Sequence, residues 1–148
     1  MQQSSTSLSF VPIAGLGSSL RIVLQRYLAE ADEMVREVPC GHHGYEILRA
    51  LADDDHCTLS DLARRIAVHP AVLSHRIDRL ESAGLVRRES RPGDRRARRP
   101  ALTGQGRAVA ERVELDLRMV EATVLAPLSA AGRVSFLASL QDLSDPPQ

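Results

Sequence analysis

The sequence predicts a mainly α-helical protein with one small β-hairpin, and three observations lead there. Apolar residues recur at helical spacing over much of the chain, as in Leu20, Val23, Leu24, Tyr27, Leu28, Ala31, Met34 and Val35. A single alternating stretch, LVRRES, is followed by the turn RPGD and a returning RRARRPALT. Two short helical runs within TLSDLARRIAVHPAVLSHRIDRLES are separated by about three residues, the arrangement of a helix-turn-helix.

In chain order, a first long helix is expected from Leu16 to Val38, where Pro39 and Gly41 end the run. Gly44 to Asp53 forms a shorter second helix, with Ile47, Leu48 and Leu51 on one face, and stops in the acidic run at 53–55. Thr58 then stands where an N-cap belongs, and Asp61 at the third helical position of a capping box. Cys57 and Leu62 form a hydrophobic staple across that start. The third helix runs from Leu59 to about Ala67. The fourth opens on Pro70, whose missing N–H costs nothing in a first turn, and ends before Gly84. Pro100 has no N–H to donate, which confines the hairpin's returning strand to a sheet edge. Thr103 caps a fifth helix reaching about Val124, with Val109, Val113, Leu117 and Val120 on one stripe. Pro127 starts a last helix carrying Leu128, Val134, Leu137 and Leu140, and the tail SDPPQ is expected to fray.

A chain of 148 residues suits one domain, or one domain with arms. The expected division is an N-terminal arm and dimerisation helix at 1–41, a winged helix-turn-helix at 42–102, and C-terminal dimerisation helices at 103–148. Terminal helices that are apolar on one stripe need a partner for it, and a second copy would supply one.

The formal net charge of zero conceals an asymmetry. Residues 1–63 hold four Arg and nine acidic side chains, whereas 64–99 hold eleven Arg against Asp78, Glu81, Glu89 and Asp94. Every basic side chain is Arg, whose fork matches phosphates and guanine edges, although codon bias also produces lysine-free chains. Seven of the arginines crowd into 87–99, where they repel one another unless an anion is present. A duplex supplies that anion. On the fourth helix Val72, Leu73, Ile77 and Leu80 offer an apolar face, while Ser74, His75 and Arg76 are candidate base readers. Arg79 is a candidate for base or phosphate, and Asp78 is expected to restrain a nearby arginine. The hairpin tip GDRRARR suits the narrow minor groove beside that helix, where the potential is most negative, with Arg95, Arg98 and Arg99 as candidate phosphate contacts.

This order of elements, with RLESAGLVRR joining the fourth helix to the hairpin, DRR at its tip and LTGQG eight residues beyond the aspartate, resembles the MarR family of bacterial winged-helix transcriptional regulators. The resemblance covers about residues 16–143. It implies a homodimer on a pseudo-palindromic duplex. It also implies repression, relieved when a small lipophilic or phenolic effector enters the cleft between dimer arms and winged domain. Leu20, Leu24, Tyr27, Leu48 and Leu51 either line that cleft or belong to the core. The resemblance further assigns Arg96 to the minor groove and Asp94 to its orientation.

Other functions find less support. Cys40, His42, His43, His56 and Cys57 offer zinc-binding chemistry, but they lack paired CxxC or HxxxH spacing, so neither metal nor cofactor is assigned. Thiol sensing through Cys40 is the alternative mode of regulation. An RNA-binding module would call for stacking aromatics, which 64–99 lacks. A protein-interaction module would make no use of Arg96. No GxSxG, P-loop or GxGxxG marks an enzyme. The opening residues lack a basic leader and are broken by Pro12, Gly15 and Gly17, so neither a signal peptide nor a membrane span is expected. The cytoplasm is the expected location, with both cysteines reduced.

Overall fold

A computed structural model describes residues 15–91 and 93–144; the readings of the first fourteen residues and of the last four lie outside them. The chain folds as α1 (Leu16–Met34), α2 (His42–Asp53), α3 (Leu59–Arg65), α4 (Pro70–Ser82), β1 (Val86–Arg91), β2 (Asp94–Leu102), α5 (Gly104–Val124) and α6 (Ala130–Ser144). It is mainly helical, with a two-stranded antiparallel wing.

The central helices start where side chains satisfy their orphan N–H groups. Thr58 Oγ accepts from the Asp61 backbone N–H at 3.1 Å. The second half of the expected capping box differs, because the Asp61 carboxylate accepts a hydrogen bond from the Thr58 hydroxyl at 2.6 Å instead of reaching the backbone. That hydrogen bond, with Arg64 beside it, holds the Asp61 carboxyl below its ordinary range. The α3 end comes earlier than expected because Ala67 adopts a left-handed φ of 52°. Val68 N–H then reaches back to Ala63 O at 2.9 Å, closing a Schellman turn. The same device ends α4, with Gly84 at φ 74° and Leu85 N–H donating to Leu80 O at 3.0 Å. Helix α1 stops at Met34, short of Val38, because Pro39 disfavours helical backbone before it; Val35 to Gly41 continue as single turns.

Ile47, Leu48 and Leu51 of α2 meet Leu62, Leu73, Ile77, Leu80, Val86 and Val113 in one core, each of them fully buried. Helix α5 lays Val113, Leu117 and Val120 along this core and joins it to α1 through Ala31. Leu48 and Leu51 are therefore core rather than cleft. One expectation for the C-terminal end needs correction. Pro127 lies exposed in the turn between α5 and α6, and Ser129 opens the last helix, its Oγ accepting from Gly132 N–H at 3.1 Å. No residue of α6 is fully buried, and its apolar stripe faces outward as expected: Val134 is 70% exposed and Leu137 50%.

The segment LTGQG ties the wing to α5. Thr103 Oγ accepts from Gly106 N–H at 2.9 Å and donates to Gly84 O at 2.6 Å, while Thr103 N–H donates to Leu85 O at 3.1 Å. Gly106 lies so close to the backbone just before β1 that no side chain fits: a Cβ there would stand 1.9 Å from Leu85 O.

Candidate nucleic-acid interface

Helix α4 turns Leu73, Ile77 and Leu80 inward and exposes Ala71, His75 and Arg79. Its N-cap is His69, whose Nδ1 accepts from Ala71 N–H at 3.3 Å. The sequence reading missed this cap, although the residue before a first-turn proline is where one belongs. Ser74 and Arg76 are half-buried on the flanks, and Nη1 of Arg76 is shielded from solvent without a hydrogen-bond partner among the described residues. Val72, expected on the core face, is 45% exposed instead. Helical rotation carries it about 100° away from Leu73, beyond the edge of the buried stripe.

The wing is clamped to this helix. Strand pairing runs Val86↔Leu102, Arg88↔Pro100 and Ser90↔Arg98, and becomes irregular between Ser90 and Arg91. Both strands are edges, so Pro100 sits in β2 without breaking the ladder. Arg88, opposite Pro100, donates to Asp78 at 2.6 Å and to Glu81 at 2.8 Å, so one fork spans two carboxylates a helical turn apart. Arg88 is thus the arginine that Asp78 restrains, and it fixes the angle between α4 and β1. Arg88→Ala is expected to weaken binding to a selected duplex by about 1 kcal/mol while leaving the salt dependence unchanged, because the lost charge faces carboxylates rather than phosphates. A changed salt slope in anisotropy titrations would show that Arg88 touches DNA instead.

A second clamp lies at the wing base. The Arg99 guanidinium contacts His56 Nδ1 at 2.6 Å and donates to Glu89 at 3.3 Å. Arg87 Nε also donates to Glu89, at 2.8 Å. Arg87 foremost, and Arg99, hold the Glu89 carboxyl below its ordinary range. Proposed from sequence as a phosphate contact, Arg99 is held within the protein, bracing the wing against the α2–α3 loop. Arg64 pairs with Asp61 and Arg65 with Asp53, so much of the positive charge counted along 64–99 meets carboxylates. Arg79 and Arg98 are exposed, on helix and wing respectively. The backbone of Asp94, Arg95 and Arg96 begins β2 just after Gly93, which has φ 87°. Their side chains lie outside those described.

The cysteine and histidine constellation is scattered. His42 stands 3.1 Å from Asp32 and His43 3.4 Å from Glu46, while His56 faces Arg99. Cys57 is buried in the core, where desolvation raises its thiol pKa and disfavours the reactive thiolate. Cys40 borders a cavity of about 800 Å³ with Tyr27, Asp32, His42 and Leu117. A more apolar groove of about 350 Å³ lies between α1, α5 and α6, lined by Leu20, Leu24, Tyr27, Val124 and Phe136. Among the described residues no helix is long and apolar enough to cross a membrane.

A helix-turn-helix whose second helix is locked to a β-hairpin defines a winged helix-turn-helix protein, a DNA-binding class. Residues 43–97 match the model of the MarR family. The HTH-type transcriptional repressor Rv2887 of Mycobacterium tuberculosis is 34% identical over 96 residues, covering 65% of this chain and 69% of that one. The crystal structure of Rv2887 in complex with DNA superposes with a TM-score of 0.72 at 29% identity, over 89% of this chain and 99% of that one. BpsR of Bordetella bronchiseptica, whose DNA binding is regulated by 6-hydroxynicotinic acid, has a TM-score of 0.76 at 27% identity, over 89% of this chain and 94% of its own. The chain belongs to the MarR family: it is a DNA-binding transcriptional regulator, not an enzyme.

Proposed function

We propose that the chain is a cytoplasmic, homodimeric repressor that reads a pseudo-palindromic operator through α4 and the wing and leaves it when a small lipophilic or phenolic molecule binds. The observation that carries the dimer is the apolar surface of the terminal helices. Leu16, Leu20, Ile22 and Leu24 on α1, Leu115 and Met119 on α5, and Val134, Leu137 and Leu143 on α6 are all exposed, between 45% and 79%. So much apolar surface on three helices is what an obligate interface covers. In this reading residues 1–41 and 103–148 join two copies, and 42–102 binds DNA. The paired α4 helices would then enter major grooves about one turn, roughly 34 Å, apart.

Base reading falls to Ser74, His75 and Arg76, with Arg79 at a base or a phosphate. Arg96, oriented by Asp94, takes the minor groove, and Arg95 and Arg98 take phosphates. Arg99 supports this work from within the wing. The cavity beside Tyr27, Cys40 and His42 suits a small effector with one polar group. It lies where α1 meets the start of α2, so occupancy there would shift the winged unit relative to the arms. The DNA binding of BpsR, regulated by a small aromatic acid, supports this class of effector. Thiol control is the weaker reading and would fall to the half-buried Cys40, since Cys57 is buried in the core.

The test is sedimentation of the free protein together with fluorescence anisotropy on the gene's upstream duplex and on a scrambled one, at several salt concentrations. A dimer that prefers the upstream duplex, with affinity falling steeply as salt rises, is the expected result. A monomer with equal affinity for both would overturn the proposal.

A further inference from the structure

One large apolar side chain has no place in either the core or the terminal helices. All other exposed large hydrophobics among the described residues lie on α1, α5, α6 or the turn between α5 and α6, where a second copy would cover them. Val72 alone lies elsewhere, 45% exposed at the third position of α4. It shares its side of the helix with Arg76 and Arg79, at i+4 and i+7, and the exposed His75 follows at i+3. Leu73, its neighbour, is completely buried, so Val72 cannot rotate inward without displacing core.

We infer that Val72 reads the C5-methyl group of a thymine in the major groove, giving each half-site a preference for T at one position. The inference rests on the reading of α4 as the recognition helix. The N-terminal residues of such a helix approach base edges, and the thymine methyl is the one apolar group that the major groove presents. A branched aliphatic side chain among polar neighbours is suited to that group and to none of the donors and acceptors around it. Contact between two methyl-bearing surfaces removes both from water, which stabilises the complex without a hydrogen bond. Val72 would therefore discriminate thymine from cytosine, which has no methyl there.

Duplexes are first selected from a random library by the wild-type chain, and the best is then remade with deoxyuridine at each thymine in turn. Wild type, Val72→Ala and Val72→Thr are titrated onto each duplex. At one position per half-site, uracil is expected to weaken wild type by about threefold to fivefold, the worth of one methyl group. Val72→Ala should lose a similar factor on the thymine duplex and nothing further on the uracil one. Val72→Thr, which keeps one methyl, should fall between them. An equal loss for Val72→Ala on both duplexes, or no uracil-sensitive position, overturns the inference while leaving α4 as the reader. A library that yields no preferred sequence, or selected duplexes bound equally well by His75→Ala, overturns the recognition-helix reading and this inference with it. Because Val72 is exposed, its variants should melt with wild type, which separates lost contact from lost fold.

Discussion

Gly106→Ala is expected to lower the melting temperature by roughly 10 °C, equivalent to about 3 kcal/mol. The added methyl would meet Leu85 O at 1.9 Å, Leu85 C at 2.8 Å and Leu102 Cδ2 at 3.2 Å. The leucine side chain can move, but the carbonyl cannot. Leu85 O accepts from Thr103 N–H at 3.1 Å, and Leu85 N–H closes the end of α4 on Leu80 O at 3.0 Å. Relieving the clash therefore means either opening the turn after α4 or lifting the start of α5 off it. Each of these breaks a buried backbone hydrogen bond, and a lost bond that leaves a group unsatisfied costs about 1–3 kcal/mol. Gly104→Ala is the control, because nothing lies within 4 Å of a Cβ at that position. Alanine there should be neutral or stabilise α5 by up to about 1 kcal/mol, since it reduces the freedom of the unfolded chain. The two variants are compared by thermal melts at one protein concentration, because association would make the midpoint concentration-dependent. Equal melting of both would show that Gly106 is not held against Leu85.

Local chemistry was legible in the sequence wherever one residue type settles the backbone. Thr58 and Thr103 cap the helices they were expected to cap, Pro70 occupies a first helical position, and Gly84 ends α4 in a left-handed turn. Each depends on groups within a few residues, so spacing alone reveals it. Readings that depend on distant partners fared differently. Arg99 looked like a phosphate ligand because charge was counted along the chain, yet its partner His56 lies 43 positions away and Glu89 faces it across the hairpin. Val72 looked like core because it is apolar and stands beside Leu73, yet a helix buries one stripe and the neighbour of a buried residue falls outside it. Pro127 looked like a helix start, but the chain folds back at Ala126 and Leu128 before α6 begins. Only the assembled fold shows that acidic residues at the end of α2 and in the loop after it are partners for arginines. Asp53 pairs with Arg65 and Asp55 with Arg107.

Arg96→Ala is expected to weaken binding to the selected duplex by about 1–3 kcal/mol, roughly fivefold to 150-fold, with much less effect on a scrambled one. The reasoning begins from where the wing can reach. Arg88 locks β1 to α4 and Arg99 ties the wing base to His56, so the base of the wing is held at two points beside α4. In the proposed complex, with α4 in a major groove, the wing tip would meet the next minor groove, and residue 96 follows Gly93 by three positions. An arginine placed there is selected by groove width and potential, which vary with sequence, so removing it erodes selectivity. Arg98, exposed farther down the strand, provides the contrast. Arg98→Ala should weaken all duplexes alike and lower the slope of log affinity against log salt by about one, because a phosphate contact carries charge but no sequence information. Titrations of wild type and both variants on selected and scrambled duplexes, over a range of salt, read the two effects separately. If both variants lose the same factor on both duplexes, the tip binds only as a cluster of charge and base reading rests with α4 alone.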